Sequence, residues 1–205
     1  MKNILHVRFF LVLISLVFGI NGLKAQETYE LSGDYRIDIP GVDHLKYTTV
    51  VYLEALDDMT FPEQDAAEII TQDSATFNPS FIVVSVGQTV NMPNNDEILH
   101  NVFSYTKGNQ FDLGLYKSGE SRAVTFKNPG LVRIFCSIHR SMKGQIFVAP
   151  TPLWSLVKDG QWSISNIPQG RYNLVGLSQG LPKVIQSIEV SDNASGIELT
   201  LKPQP

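Results

Sequence analysis

Phe135-Cys136-Ser137-Ile138-His139-Arg140-Ser141-Met142 sets a thiol, an imidazole and a thioether inside one short loop, just ahead of Lys143-Gly144 and the apolar run Gln145 to Ala149. Upstream, Gly130 to Cys136 alternates so that Val132, Ile134 and Cys136 share one face of a strand, which leaves the sulfur at the strand end where a loop can wrap over it. Soft sulfur suits Cu(I), imidazole suits both Cu(I) and Cu(II), and a weak thioether leaves a near-trigonal site; two His and one Cys with an axial Met form the blue-copper set. Zinc also accepts Cys and His, so the residues alone leave both metals open. A lone cysteine can equally be a small buried hydrophobe.

The loop supplies one imidazole, so a second must come from elsewhere. Beyond the first 25 residues the chain has His44, His100 and His139. His100 lies in Asn94-Asn95-Asp96-Glu97-Ile98-Leu99-His100-Asn101-Val102-Phe103, at the end of a turn and the start of a strand. His44, in Pro40-Gly41-Val42-Asp43-His44, has no ligand-type neighbour and reads as a solvated loop residue.

Around these segments the pattern is one of short alternating apolar runs broken by Gly, Pro, Asn and Asp, which predicts an all-β sandwich or barrel. Strands are expected at Tyr29 to Ile39, Thr48 to Leu56, Ser80 to Val86, Thr89 to Pro93, Ser121 to Phe126, Gly130 to Cys136, Gln145 to Ala149, Gln161 to Ser165, Arg171 to Leu177, Lys183 to Val190 and Gly196 to Leu201. Asp65 to Thr71 is readable as a helix, with Ile69-Ile70-Thr71 equally readable as a strand. Turns fall at Val86-Gly87-Gln88, Asn128-Pro129-Gly130, Lys158-Asp159-Gly160 and Ile167-Pro168-Gln169-Gly170. Pro150-Thr151-Pro152 reads as a domain boundary, because two prolines remove ladder donors.

From about Ala75 to Pro150 the sequence resembles the cupredoxins, in particular the plastocyanin and amicyanin branch and its methylamine-utilisation-like exported relatives. Phe77-Asn78-Pro79-Ser80-Phe81 and Val86-Gly87-Gln88-Thr89-Val90 look like the family's early strands, Leu99-His100-Asn101-Val102-Phe103 its first-ligand motif, and Cys136 to Met142 its second, with the short amicyanin-like spacing. The resemblance implies a Greek-key β-sandwich and one type 1 copper held by His100, Cys136, His139 and Met142. It also implies that the Asn101 side chain tethers the ligand loop near the sulfur, and that single electrons pass to a redox partner protein. Phe111-Asp112-Leu113-Gly114-Leu115-Tyr116 also matches the exported relatives, with no chemical role read for it.

A second resemblance lies outside that span. Asp159-Gly160 through Leu174 looks like the later half of the carboxypeptidase regulatory-like β-sandwich, whose earlier half, a Gly-containing strand and a Val-Val-Tyr-Leu strand, appears at Tyr29 to Gly33 and Val50 to Glu54. The expected organisation is a signal peptide over 1–25, N-terminal strands of the accessory sandwich over 26–56, a cupredoxin domain over 57–152 and the rest of the accessory sandwich over 153–205. About fifty residues in a few strands would leave one sheet face unburied, which favours closure by the N-terminal strands.

Lys2 and Arg8 precede the apolar run Phe9 to Phe18, and Ala25 offers a small residue for cleavage, as in a secretory leader. The run is shorter than the roughly 18 apolar residues of a membrane span, so no anchor is expected after cleavage. The protein is then expected to be exported, to the periplasm or outside the cell, where an unpaired Cys136 needs protection. Removing Lys2, Arg8 and Lys24 takes the formal net charge from −4 to −7, and an acidic chain without basic clusters argues against nucleic acid. Three remaining histidines are too few for the extra centres of a multicopper enzyme, so an enzyme is not expected. The competing reading is a secreted module that binds carbohydrate or protein, with a structural or vestigial metal site and with Trp154 and Trp162 as a stacking surface.

Overall fold

The computed structural model describes residues 27–43, 46–62, 64 and 66–203. The leader read at 1–25 and His44 lie outside those residues. Among the described residues there are seventeen strands and no α-helix. The first two are β1 (Thr28–Ile37) and β2 (Thr49–Ala55). A central group follows: β3 (Glu68–Ile69), β4 (Thr71–Asp73), β5 (Thr76–Asn78), β6 (Phe81–Ser85), β7 (Thr89–Pro93), β8 (His100–Ser104), β9 (Phe111–Tyr116), β10 (Ser121–Thr125), β11 (Gly130–Phe135) and β12 (Lys143–Ala149). The last are β13 (Trp154–Leu156), β14 (Gln161–Pro168), β15 (Gly170–Ser178), β16 (Lys183–Val190) and β17 (Ala194–Leu201).

Apart from the small β4-β5 hairpin, these strands form four sheets, ordered β14-β1-β17, β13-β2-β15-β16, β6-β12-β11-β8-β9 and β10-β7-β3. The first two sheets hold β1 and β2 against strands from the far end of the chain: β1 lies between β14 and β17, and β2 between β13 and β15. The last two form the sandwich that carries Cys136.

Side-chain alternation explains how the sheets stack. In β2, Val51 and Leu53 enter a core with Leu31, Trp162, Tyr172, Leu174 and Leu199, while Val50 and Tyr52 turn the other way. In β12, Ile146 and Val148 join Val84, Val102, Val132 and Ile134, while Phe147 and Ala149 turn outward to meet Val50, Tyr52 and Val175. Strands buried on both faces read as unbroken apolar runs, and the runs Val50-Val51-Tyr52-Leu53 and Ile146-Phe147-Val148-Ala149 are of that kind. The result is four layers with three apolar cores between them. In the middle one the Tyr52 and Phe147 rings lie 5.1 Å apart, tilted by 50°. Each fully buried large side chain there contributes about 1.5–3 kcal/mol by removal from water.

Gly33 pairs with Ile197 across β1 and β17, just after a register shift. A Cβ built on it would lie 1.9 Å from the Ile197 carbonyl oxygen, so the Gly-containing strand is a packing requirement.

In the ambiguous segment Asp65 to Thr71, of which Asp65 lies outside the described residues, the strand reading holds: β3 pairs with β7, and Ile70, fully buried, donates its N–H to the Asn91 carbonyl at 2.9 Å. A single apolar turn has too few hydrogen bonds to nucleate a helix, whereas β7 offers an open edge. Four strands were not expected from the alternation. β4, β5 and β13 are short, and β9 is interrupted at Gly114, whose φ of +64° breaks the alternation.

Phe147→Ala should cost about 3–5 kcal/mol, the usual range for emptying a buried aromatic site. Urea unfolding monitored by fluorescence checks this; a loss under about 1 kcal/mol would mean that the middle core is not part of the cooperative unit.

Candidate metal centre

The loop from Cys136 to Met142 is closed by its own backbone. Cys136 N–H donates to the Met142 carbonyl at 3.3 Å and Met142 N–H to the His139 carbonyl at 3.0 Å. The loop is also held from outside, since the Asn101 side-chain oxygen accepts the Ser137 N–H at 2.7 Å and the Ser137 hydroxyl at 2.8 Å. Asn101 follows His100 at the start of β8, and β8 pairs with β11 through Phe103 and Phe135, so the two motifs meet at one end of the sandwich.

There, Cys136 Sγ lies 3.7 Å from His100 Nδ1 and 3.9 Å from His139 Nδ1, and the two Nδ1 atoms are 3.1 Å apart. The point equidistant from these three atoms lies about 2.1 Å from each, close to the roughly 2.0–2.3 Å at which imidazole nitrogen and thiolate sulfur hold a transition metal. Two nitrogens and one sulfur on a trigonal frame are the donor set that copper fits. Met142 is buried in the same core as Cys136. Among the described residues no other group of three or more His, Cys, Asp or Glu side chains is arranged to hold an ion.

Electrostatics prepares the donors. Burial pushes the Cys136 thiol up, but the backbone N–H groups of Asn101, His139 and Ile138, together with the His100 ring, outweigh it and bring the thiol down to about 6. Thiolate is the form that binds metal.

Asp96 is a participant that sequence reasoning missed. Its Oδ2 lies 2.7 Å from His100 Nε2, four residues on. A carboxylate accepts only, so Nε2 carries a proton in this contact, and in the neutral ring that leaves the lone pair on Nδ1, toward Cys136. Asp96 is fixed in turn by the backbone N–H groups of Ser74 and Ala75, both at 2.8 Å, in the β4-β5 turn where those residues take φ of 50° and 51°. The Ala75 N–H, with His100 and Ser74 behind it, holds the Asp96 carboxyl below its ordinary range. The available signal was an acid one helical-turn spacing before a candidate ligand, which in an irregular loop predicts nothing.

Trp162 is 3% exposed in the core with Leu31, Tyr172 and Leu199, and Trp154 packs, partly buried, against the middle core with its Nε1 donating to Ser85 Oγ at 3.3 Å.

With this geometry in hand, comparison with known proteins is informative. Residues 65–149 match the copper-binding proteins of the plastocyanin/azurin family. They form a cupredoxin domain. Its cofactor is copper, in keeping with the donor set. Among solved structures the chain is similar to a purple cupredoxin from Nitrosopumilus maritimus, at 25% identity over 42% of this chain and 100% of that one, TM-score 0.36. It is also similar to a methionine-to-glutamine mutant of amicyanin in the Cu(I) form, at 22% identity over 42% of this chain and 84% of that one, TM-score 0.39. A reduced tryptophan-to-tyrosine mutant of amicyanin matches at 20% identity over 47% of this chain and 98% of that one, TM-score 0.39. No curated protein matches the sequence. The family match ends at residue 149, so it does not reach β13 to β17.

Asp96→Asn should weaken copper binding about 10- to 100-fold, as loss of a ligand-orienting partner generally does. An amide has one acceptor oxygen where the carboxylate has two, so it cannot take the Ser74 N–H, the Ala75 N–H and the His100 Nε2–H together. Competition titration against a chelator checks this, and an unchanged affinity would exclude a tautomer-setting role for Asp96.

Proposed function

We propose that this protein is an exported type 1 copper protein that passes single electrons, with His100, Cys136, His139 and Met142 as metal ligands and Asn101 tethering their loop. The observation that carries the reading is the triangle of His100 Nδ1, His139 Nδ1 and Cys136 Sγ, sized for a single ion. Copper bound there supplies a one-electron couple between Cu(I) and Cu(II). The chain's part is to hold the donors still. His100 is fully buried and fixed by Asp96, Cys136 ends a core strand, and the loop is bonded to itself and to Asn101.

His139 is the one donor of the triangle that is partly exposed, so its ring edge is the exit for the electron. Four half-exposed apolar residues adjoin the site: Ile98 and Leu99 before His100, Leu115 paired with Asn101, and Ile138 before His139. A redox partner protein docks over them. Export rests on the leader pattern of residues 1–25, and a carrier role rather than an enzyme's rests on the shortage of histidines for further centres.

The same proposal divides the chain into an accessory sandwich formed by 26–56 with 153–205, and a cupredoxin domain over 57–152 inserted between them. The pairing of β1 with β14 and β17, and of β2 with β13 and β15, supports it. Insertion at a surface loop costs little entropy.

Protein-film voltammetry of the copper-loaded protein should give one reversible one-electron wave, shifted to higher potential in Met142→Leu as a weak axial donor is lost. An unchanged potential would remove Met142 from the ligand set, and the lack of a reversible wave would remove the carrier role. For the insertion, residues 153–205 expressed alone should stay unfolded until residues 26–56 are supplied. Cooperative unfolding of 153–205 by itself would contradict it.

A further inference from the structure

We propose that Asp112 is a positioning residue for the metal-binding loop: its carboxylate selects the orientation of the Asn101 amide, and through it the tether on Ser137, the residue that follows Cys136. The inference deepens the copper reading and rests on it only for the effect on the metal, since the tether belongs to the protein with or without an ion.

Asn101 is 4% exposed, and its amide can be placed in two ways related by a half-turn. Ser137 N–H is a donor only, so the orientation that holds the loop must put Oδ1 toward Ser137, at 2.7 Å, and Nδ2 away from it. Nδ2 then faces Asp112 Oδ1 at 3.4 Å. The flipped amide would set its NH₂ against the Ser137 N–H and its carbonyl against a carboxylate, donor on donor and acceptor on acceptor. A carboxylate is the side chain that rewards one orientation and penalises the other. At 3.4 Å on an exposed residue the contact contributes little to folding, so its effect lies in that choice.

Asp112 is built into place. The same Oδ1 accepts the Gly114 N–H at 2.8 Å, closing a side-chain turn over Asp112-Leu113-Gly114 that needs the left-handed φ of +64° at Gly114. That turn adds a residue to β9: Asn101 pairs with Leu115, yet Phe103 pairs with Asp112. The slip carries Asp112 toward Asn101. Arg122 locks the bulge, with its guanidinium donating to the Leu113 carbonyl and, at 3.3 Å, to the Leu115 carbonyl. Its Cζ lies 5.0 Å over the Tyr116 ring, and Tyr116 pairs with His100. The stretch Phe111 to Tyr116, which had no chemical role in sequence, thus becomes the support of Asn101.

The test compares Asp112→Ala, Asp112→Ser and Asp112→Asn. Serine can still accept the Gly114 N–H but is too short to reach Asn101, and asparagine keeps an acceptor oxygen for both. In the metal-free protein, hydrogen exchange at the Ser137 amide should rise about fivefold in the Ala and Ser variants and stay near wild type in the Asn variant, as expected for loss of one modest hydrogen bond. Amides of β6 and β12 should be unchanged. With Cu(II) added, the Ala and Ser variants should show a shifted copper–thiolate band that Asp112→Asn restores. Wild-type Ser137 exchange in Asp112→Ser would overturn the proposal, as would a rise of equal size at every amide, which marks general destabilisation. A selective rise in Ser137 exchange with no coloured copper band in any protein would uphold the tether and sink only the ligand assignment.

Discussion

Strand β12 begins one residue after Met142 and is covered on both faces, Ile146 and Val148 by the sandwich that carries Cys136, Phe147 and Ala149 by β2 and β15 of the neighbouring sheet. A strand buried twice over cannot slip its register without moving two apolar sets into water. β11, paired with β12 from Gly130 to Phe135, inherits that register and delivers Cys136 at a fixed height. Strands β2 and β15 therefore matter to the metal site without touching it: they cover the back of the sheet from which the ligand loop springs.

On that frame the site is assembled from hydrogen bonds that each leave one atom free. Asp96 accepts a hydrogen bond from His100 Nε2, which in the neutral ring leaves Nδ1 free, and backbone N–H groups stabilise the thiolate of Cys136 against its burial. The donors are thus in their binding states, and about one metal–ligand bond length from a common point, through contacts internal to the protein. Preorganisation of this kind is what a one-electron centre requires, because groups that need not rearrange between oxidation states add no barrier to transfer.

Much of this was legible in the sequence, and what was not has physical causes. That His100, Cys136 and His139 come together was readable from their donor types in two separated motifs. The runs at Val50 and Phe81 read as strands because burial on both faces erases alternation. Asp96 and Asp112 did not stand out, because an acid in a polar turn looks like any solvated acid until the fold shows which imidazole or amide it faces. β9 was lost to the bulge at Gly114, the same irregularity that aims Asp112. The burial of Trp162 was not readable either, because a tryptophan in an alternating strand shows which face it takes only once the partner sheet is known.

The central claim is that one metal ion sits in the triangle of His100, His139 and Cys136, bonded to thiolate. Titrating Cu(II) into the purified metal-free protein while recording the visible spectrum tests it most directly. The account predicts an intense blue or green band that saturates at one copper per chain and is absent from Cys136→Ala, whose fold is retained. A protein that binds copper without that band, or a Cys136→Ala variant that keeps it, would contradict the account.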